Sequence, residues 1–315
     1  MEENINFERK KNKDNFIKRF RNQLDIQSMV WPGLIFLLIF SYWPMYGIVM
    51  AFQKYDLDKG FMDSAWVGLQ HFKVFLSDDK FYRVMRNTLG INMLGMIVGF
   101  PATIMFALFL NEIKNMKYKK AVQTISYLPH FISWPIYGAI VITLLSLDTG
   151  IINDILVKFN LIDKKIFFMG KPEYFWGIAI ITSLLKGIGY NAIIYLAAIA
   201  GVSPELYEAA TIDGAGRFKR MWYITLPCIS ATTVIMLIFT ISYMLNSGFD
   251  QIWMLQNPLN LSMSETIDTY VYKVGIQQFR LSYSAAVGVF RSVLSLILLL
   301  SANFISRKLT DKSLF

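Results

Sequence analysis

The sequence predicts an all-α membrane protein with six transmembrane helices joined by short loops, and three observations lead there. The chain of 315 residues is 55% hydrophobic and 15% aromatic with only 17% charged residues, a balance too apolar for a water-soluble globule. Its apolar residues gather in runs of about 20 or more, the length a helix needs to cross the hydrocarbon core. Lys and Arg sit at the edges of those runs, with 17 on the tails and loops assigned to the inside against 11 on the longer outer loops. That bias places both termini in the cytoplasm. A net charge of +9 distributed in this way reads as cytoplasmic anchoring, and nucleic acid is not an expected partner.

Residues 1–27 hold seven Lys/Arg and no apolar run. They form a cytoplasmic tail, and Phe16, Ile17, Phe20 and Leu24 fall close to one helical face that can lie on the membrane surface. The six-span domain covers 28–306. Span one, about 29–52, is too long and too aromatic for a cleaved leader. Residues 53–84 form an external connector with a short interfacial helix, and span two runs from about 85 to 110. Four lysines against one glutamate mark 111–120 as cytoplasmic. Span three, about 122–147, contains Pro129 and Pro135, whose missing amides predict a kink. Span four covers 174–200, span five 229–245 and span six 285–305, with outer loops at 148–172 and 246–282. The tail at 307–315 returns to the cytoplasm.

Between spans four and five lies a polar island, 201–227. Ser203 can cap a helix that Pro204 and Glu205 favour, Gly214 ends it, and Arg217 to Ile224 can form a second helix that Pro227 separates from span five. Ala209 and Ala210 offer a face with almost no bulk, and Glu205 and Glu208 share a face at i, i+3. Such a helix is suited to sitting in another protein's cleft.

Polar residues within the spans are the remaining candidates. Lys186, near the middle of span four, needs a partner or water: it is either a polar contact beside a translocation path or a structural lysine bonded to backbone carbonyls. Tyr190 and Asn191, one turn on, pair an aromatic face with an amide, which suits a sugar ring but also suits helix packing. Asn246, Phe249 and Asp250 belong to a polar break at the outer end of span five, readable as a gate or as a plain terminus. Arg291 reads as a snorkelling or paired cation, and His130 with Trp134 as packing neighbours. Cys228 reads as inert packing. Gly170-Lys171-Pro172 lacks the features of a phosphate loop, and the two histidines belong to no metal or nucleophile motif. Any energy source must therefore lie on a partner.

The run Glu208-Ala209-Ala210, then Gly214, then Ile224-Thr225-Leu226-Pro227 resembles the cytoplasmic loop of binding-protein-dependent ABC importer permeases. Asp213, Ala215 and Phe218 fit the sugar-importing branch. Trp31-Pro32-Gly33, Tyr42 to Gly47, Trp66 to Leu69, Arg86 to Leu89, Tyr127-Leu128-Pro129 and Ile194 to Ala198 resemble its oligosaccharide branch, the complex-polysaccharide or LplB-type permeases. The resemblance implies a type I importer permease fold in a bacterial plasma membrane. It also implies that Glu205, Glu208, Ala209, Ala210, Asp213, Gly214, Ile224, Leu226 and Pro227 belong to a coupling element. Implied partners are a second, similar permease, two ATPase subunits carrying ATP and Mg, and an external solute-binding lipoprotein, with no cofactor on this chain. A self-sufficient secondary transporter or channel is the competing class. It would need intramembrane carboxylates or an ion filter, and the span centres hold no Asp or Glu.

Overall fold

The computed structural model describes residues 24–246 and 248–310. The expected surface face of Phe16, Ile17 and Phe20 lies outside them, as do Ser247 and residues 311–315. Among the described residues, four helices are individually long and apolar enough to cross a membrane, and the number rises to six if each of two bent pairs counts as one span.

Span one, Gln27–Phe52, starts as α1 (Leu24–Leu37), widens into a π turn at Leu38–Tyr42 and tightens to a 3-10 helix at Trp43–Phe52. Pro44 supplies no amide to its own helix, and the change of pitch falls at that point. Only 6% of the span's most apolar stretch is buried, so its side chains are matched to lipid or to a neighbouring subunit. The connector that follows is more structured than the sequence suggests. Strands β1 (Gln53–Asp56) and β2 (Ser64–Trp66) pair antiparallel around a short helix α2 (Gly60–Asp63), and α3 (Gln70–Leu76) follows. Gly68, at φ +59°, turns the chain so that the Val67 and Gly68 amides both donate to the Phe52 carbonyl, at 2.8 and 3.0 Å. The left-handed conformation explains the glycine there.

Helix α4 (Asp79–Asn111) is span two, capped by Asp78, which accepts from the Lys80 amide at 2.9 Å. The predicted kink in span three is instead a break. Helices α5 (Met116–Phe131) and α6 (Trp134–Leu144) meet at 104°. Pro129 and Pro135 remove two amides within seven residues, and Ile132 and Ser133 between them are extended. His130 and Trp134 therefore do not share a helical face.

A short outer helix α7 (Ile151–Lys158) leads to α8 (Phe175–Ala200), which is span four and the centre of the fold. It packs along both α4 and α5. A Cβ at Gly189 would collide with the Ser126 carbonyl, so this glycine permits the close approach of α8 to α5. Buried residues such as Ala107, Ala192, Tyr195 and Ile229 form one core near the 201–227 loop, and Ile91, Val141, Ala179 and Ile252 form another toward the opposite ends of the spans.

The inner loop contains α9 (Pro204–Ile212) and α10 (Arg217–Arg220), then a π turn (Met221–Thr225) and α11 (Leu226–Cys228). The helix breaks after Cys228, two residues later than Pro227 alone would suggest. The wide turn before Pro227 absorbs its missing amide. Helix α12 (Ser230–Ser242) then leaves at 65° to the preceding segment, and Cys228 is exposed at the bend rather than packed. Beyond Gly248 the outer segment folds into α13 (Phe249–Leu255), α14 (Leu261–Ser264) and α15 (Ile267–Tyr272), followed by a π turn (Lys273–Gln277). Helix α16 (Leu281–Thr310) completes span six and carries Arg307 and Lys308 in its last turn.

Candidate functional site

The inner loop is a compact two-helix unit. Pro204 occupies the first turn of α9 as expected, but Ser203 makes no side-chain capping bond. The other end is closed by the backbone. Gly214, at φ +72°, lets its amide donate to the Thr211 carbonyl at 3.1 Å and lets the Ala215 amide reach the Ala210 carbonyl at 2.8 Å. This is the Schellman arrangement that satisfies the last carbonyls of a helix. Two side-chain bonds then clamp α9 onto the following segment: Tyr207 Oη lies 3.0 Å from Thr225 Oγ1, and Arg220 donates to Thr211 Oγ1 at 3.0 Å. The two alanines are not equivalent. Ala210 is 8% exposed and faces the fold. Ala209 is exposed together with Glu205, Glu208, Asp213 and Gly214, and Ile212 stands 86% exposed at the end of the helix. Ile224 and Leu226 are half-buried and Pro227 is exposed. The result is a compact projection with a small-residue centre and acidic and apolar edges.

A groove of about 780 Å³ opens between α4, α8 and α12 and reaches the start of α13. Asn191 and Asn246 line it, with Ser183, Tyr195, Tyr243 and Gln251. Of these, the sequence reading did not single out Ser183, Tyr195 or Tyr243, and it placed Gln251 only as a member of the polar break at the end of span five. Gly187 leaves room beside the Asn191 amide, since a Cβ there would lie 3.2 Å from its Nδ2.

Lys186, Tyr190, Phe249 and Asp250 lie elsewhere. Lys186, 7% exposed, donates to the carbonyls of Pro129 at 2.8 Å and His130 at 3.0 Å, and closely to that of Ile132. These are the carbonyls freed where α5 ends. All three ammonium donors are thus engaged at a helix C-terminus, where positive charge is favoured. The rings of Trp134 and Tyr137 lie 5.3 and 5.5 Å from the same ammonium. Tyr190 stacks on His130 with ring centroids 3.7 Å apart, so it joins Lys186 on the α5 side of α8 and is turned away from Asn191. One residue along a helix is about 100° around its axis, and that rotation separates the pair. Phe249 belongs to an aromatic group with Trp253 and Tyr272, at 5.6 and 5.1 Å, and Asp250 is exposed.

The outer segment is held to span two by Arg86, Asn87 and Thr88. Arg86 and Asn87 donate to the Ser262 carbonyl at 2.9 and 3.1 Å, Asn87 also to that of Glu265 at 3.0 Å, and Thr88 Oγ1 accepts from the Ile267 amide at 2.9 Å. Buried Glu265 pairs with Arg83, and Arg291 with Asp268. Trp176 Nε1 adds a bond to the Met263 carbonyl at 2.8 Å. Asp78 accepts from the Tyr270 and Tyr283 hydroxyls at 3.0 and 3.3 Å. The 248–282 connection is therefore a folded cap over the ends of these spans.

A helical membrane permease with broken spans, a polar groove and a compact projecting loop is the class of protein this architecture defines. Residues 92–311 match the family described as binding-protein-dependent transport system inner membrane component, and the chain belongs to that family. It is 44% identical to "Protein LplB" of Bacillus subtilis (strain 168), over 90% of this chain and 89% of that protein. It is 41% identical to the same organism's "Polygalacturonan/rhamnogalacturonan transport system permease protein YteP", over 98% and 95%. Among solved structures, it superimposes with a TM-score of 0.86 and 38% identity on a chain of a bacterial ABC transporter that imports the acidic polysaccharide alginate, covering 94% of this chain and 99% of that one. A second alginate transporter structure, in complex with its alginate pentasaccharide-bound periplasmic protein, matches at 0.85 and 37% identity, with the same coverage.

Proposed function

We propose that this chain is the pore-forming subunit of an ATP-driven importer that translocates an oligosaccharide delivered by an external solute-binding protein. The observation that carries the reading is the inner loop, a helix with a bare exposed alanine at its centre, closed by a Schellman turn and clamped at Thr211 and Thr225. A rigid projection can pass motion of a partner into the spans, whereas a loose loop would absorb it. The chain itself carries no catalytic residue in this reading. ATP and Mg reside on two partner ATPase subunits that receive the projection, and a second, similar permease completes the pore in a bacterial plasma membrane with both termini cytoplasmic. The groove lined by Asn191, Asn246 and Gln251 is this chain's wall of the sugar path. Lys186 supports the broken third span beside it.

The test replaces the exposed alanine in the complete complex. Ala209→Trp puts bulk on the docking face and should release the ATPase subunits in a pull-down while the chain stays inserted and folded. Full recovery of the ATPase with full sugar uptake by this variant would remove the main support for the reading.

A further inference from the structure

Resting on the reading of the groove as the sugar path, we infer that this chain's wall selects an uncharged oligosaccharide and rejects a polyuronate. None of the described residues lining the groove carries a charge. What the wall offers instead is neutral hydrogen-bonding groups on fixed elements. Gln251 is 6% exposed, and its Nε2 is committed to the Ala179 carbonyl at 2.6 Å and to Thr182 Oγ1 at 3.0 Å. The residue itself lines the groove, so its amide is part of the neutral wall. Tyr195 is 2% exposed and has Phe100 edge-on at 6.4 Å, and its hydroxyl finds no partner among the described residues. The side chains of Ser183, Asn191, Tyr243 and Asn246 add donors and acceptors along the same wall. Buried polar groups of this kind gain when a hydroxyl pairs with them.

A carboxylate meets the opposite situation. Lys186 is committed to three carbonyls on the other side of α8, Arg291 to Asp268 and Arg83 to Glu265, and none of the three lines the groove. Each uronate residue would give up water in a groove whose described lining offers no counter-charge, so the uncompensated desolvation cost accumulates with chain length. The preference expected here differs from the acidic polysaccharide of the alginate transporter.

The experiment reads the wall directly, independent of what a binding protein delivers. In the purified complete transporter, with Cys228→Ser removing the native thiol, Ser183→Cys is labelled with a neutral maleimide. Labelling is followed in the presence of neutral hexasaccharides of the gluco, manno, xylo and galacto series, and of oligogalacturonate of the same length. At least one neutral series should slow labelling, with an apparent affinity about tenfold or more above that of oligogalacturonate. Equal or better protection by oligogalacturonate would overturn the charge preference while leaving the sugar path intact. Protection by none of the panel would overturn the path reading, and the preference with it. Uptake by the same complex in proteoliposomes, compared for the protecting sugar and oligogalacturonate, should follow the same order. The reverse order would also overturn the preference.

Discussion

Lys186→Met removes an ammonium that satisfies the broken end of α5, and the size of its effect can be worked from the bonds it makes. Three bonds are lost, to Pro129, His130 and Ile132. The Pro129 carbonyl keeps a second partner in the Ile132 amide at 3.3 Å, so two carbonyls bear the main cost. An unsatisfied buried carbonyl costs about 1–3 kcal/mol. Relief of the buried ammonium's own desolvation offsets part of the sum, which leaves a net loss of about 3 kcal/mol. At about 1.4 kcal/mol per tenfold, the clasped arrangement of span three loses more than a hundredfold against open alternatives. The assay is thermal unfolding of the purified complex together with hydrogen exchange at 129–135. Met should lower the midpoint and raise exchange there, and Gln, which keeps two donors, should fall between Met and wild type. An unchanged midpoint with unchanged exchange in Met would refute the clasp.

Gly214→Val should leave the chain inserted but poorly coupled. No atom lies within 4 Å of a Cβ at that position, so the cost is the backbone strain of a positive φ, about 1–2 kcal/mol. Binding-protein-stimulated ATP hydrolysis in proteoliposomes should fall, and wild-type stimulation would count against the turn. Burial tends to raise the Asp78 carboxyl, but the Lys80 amide and the Tyr270 and Tyr283 hydroxyls outweigh it and hold it below its ordinary value of 3.8. A depressed carboxyl contributes stability that is complete above its unfolded value and lost as pH falls through its folded one. Unfolding midpoints of Asp78→Asn should therefore depend less on pH below that ordinary value than wild type does, and parallel curves would refute the assignment. Cysteines introduced one at a time at Asp63 and Lys164 in a Cys228→Ser background should label from outside intact cells, and those at Lys117 and Lys219 should not. External labelling at Lys219 would refute the proposed orientation.

Much of the fold and part of the site were legible in the sequence because their causes are local. Apolar runs of membrane length and their basic edges locate the spans, since lipid is a uniform solvent that each segment meets on its own. The 201–227 loop is equally readable in its local structure: Pro204 and Gly214 act through their own backbone angles, and the residues concerned are contiguous. Tertiary structure decided what depends on distant partners. Nothing near Lys186 in sequence says that its ammonium will meet carbonyls at Pro129 and Ile132, and until the break at 104° is known, a clasped lysine and a path-lining one look alike. Tyr190 and Asn191 are neighbours along the chain, yet packing of α8 against α5 on one side and the groove on the other assigns them different surroundings. Arg86-Asn87-Thr88 is a recognisable string, but its bonds reach residues 262–267, and the folded outer cap exists only through those contacts. Ala209 and Ala210 are chemically identical; the clamp through Tyr207 and Arg220 turns one of them outward and buries the other.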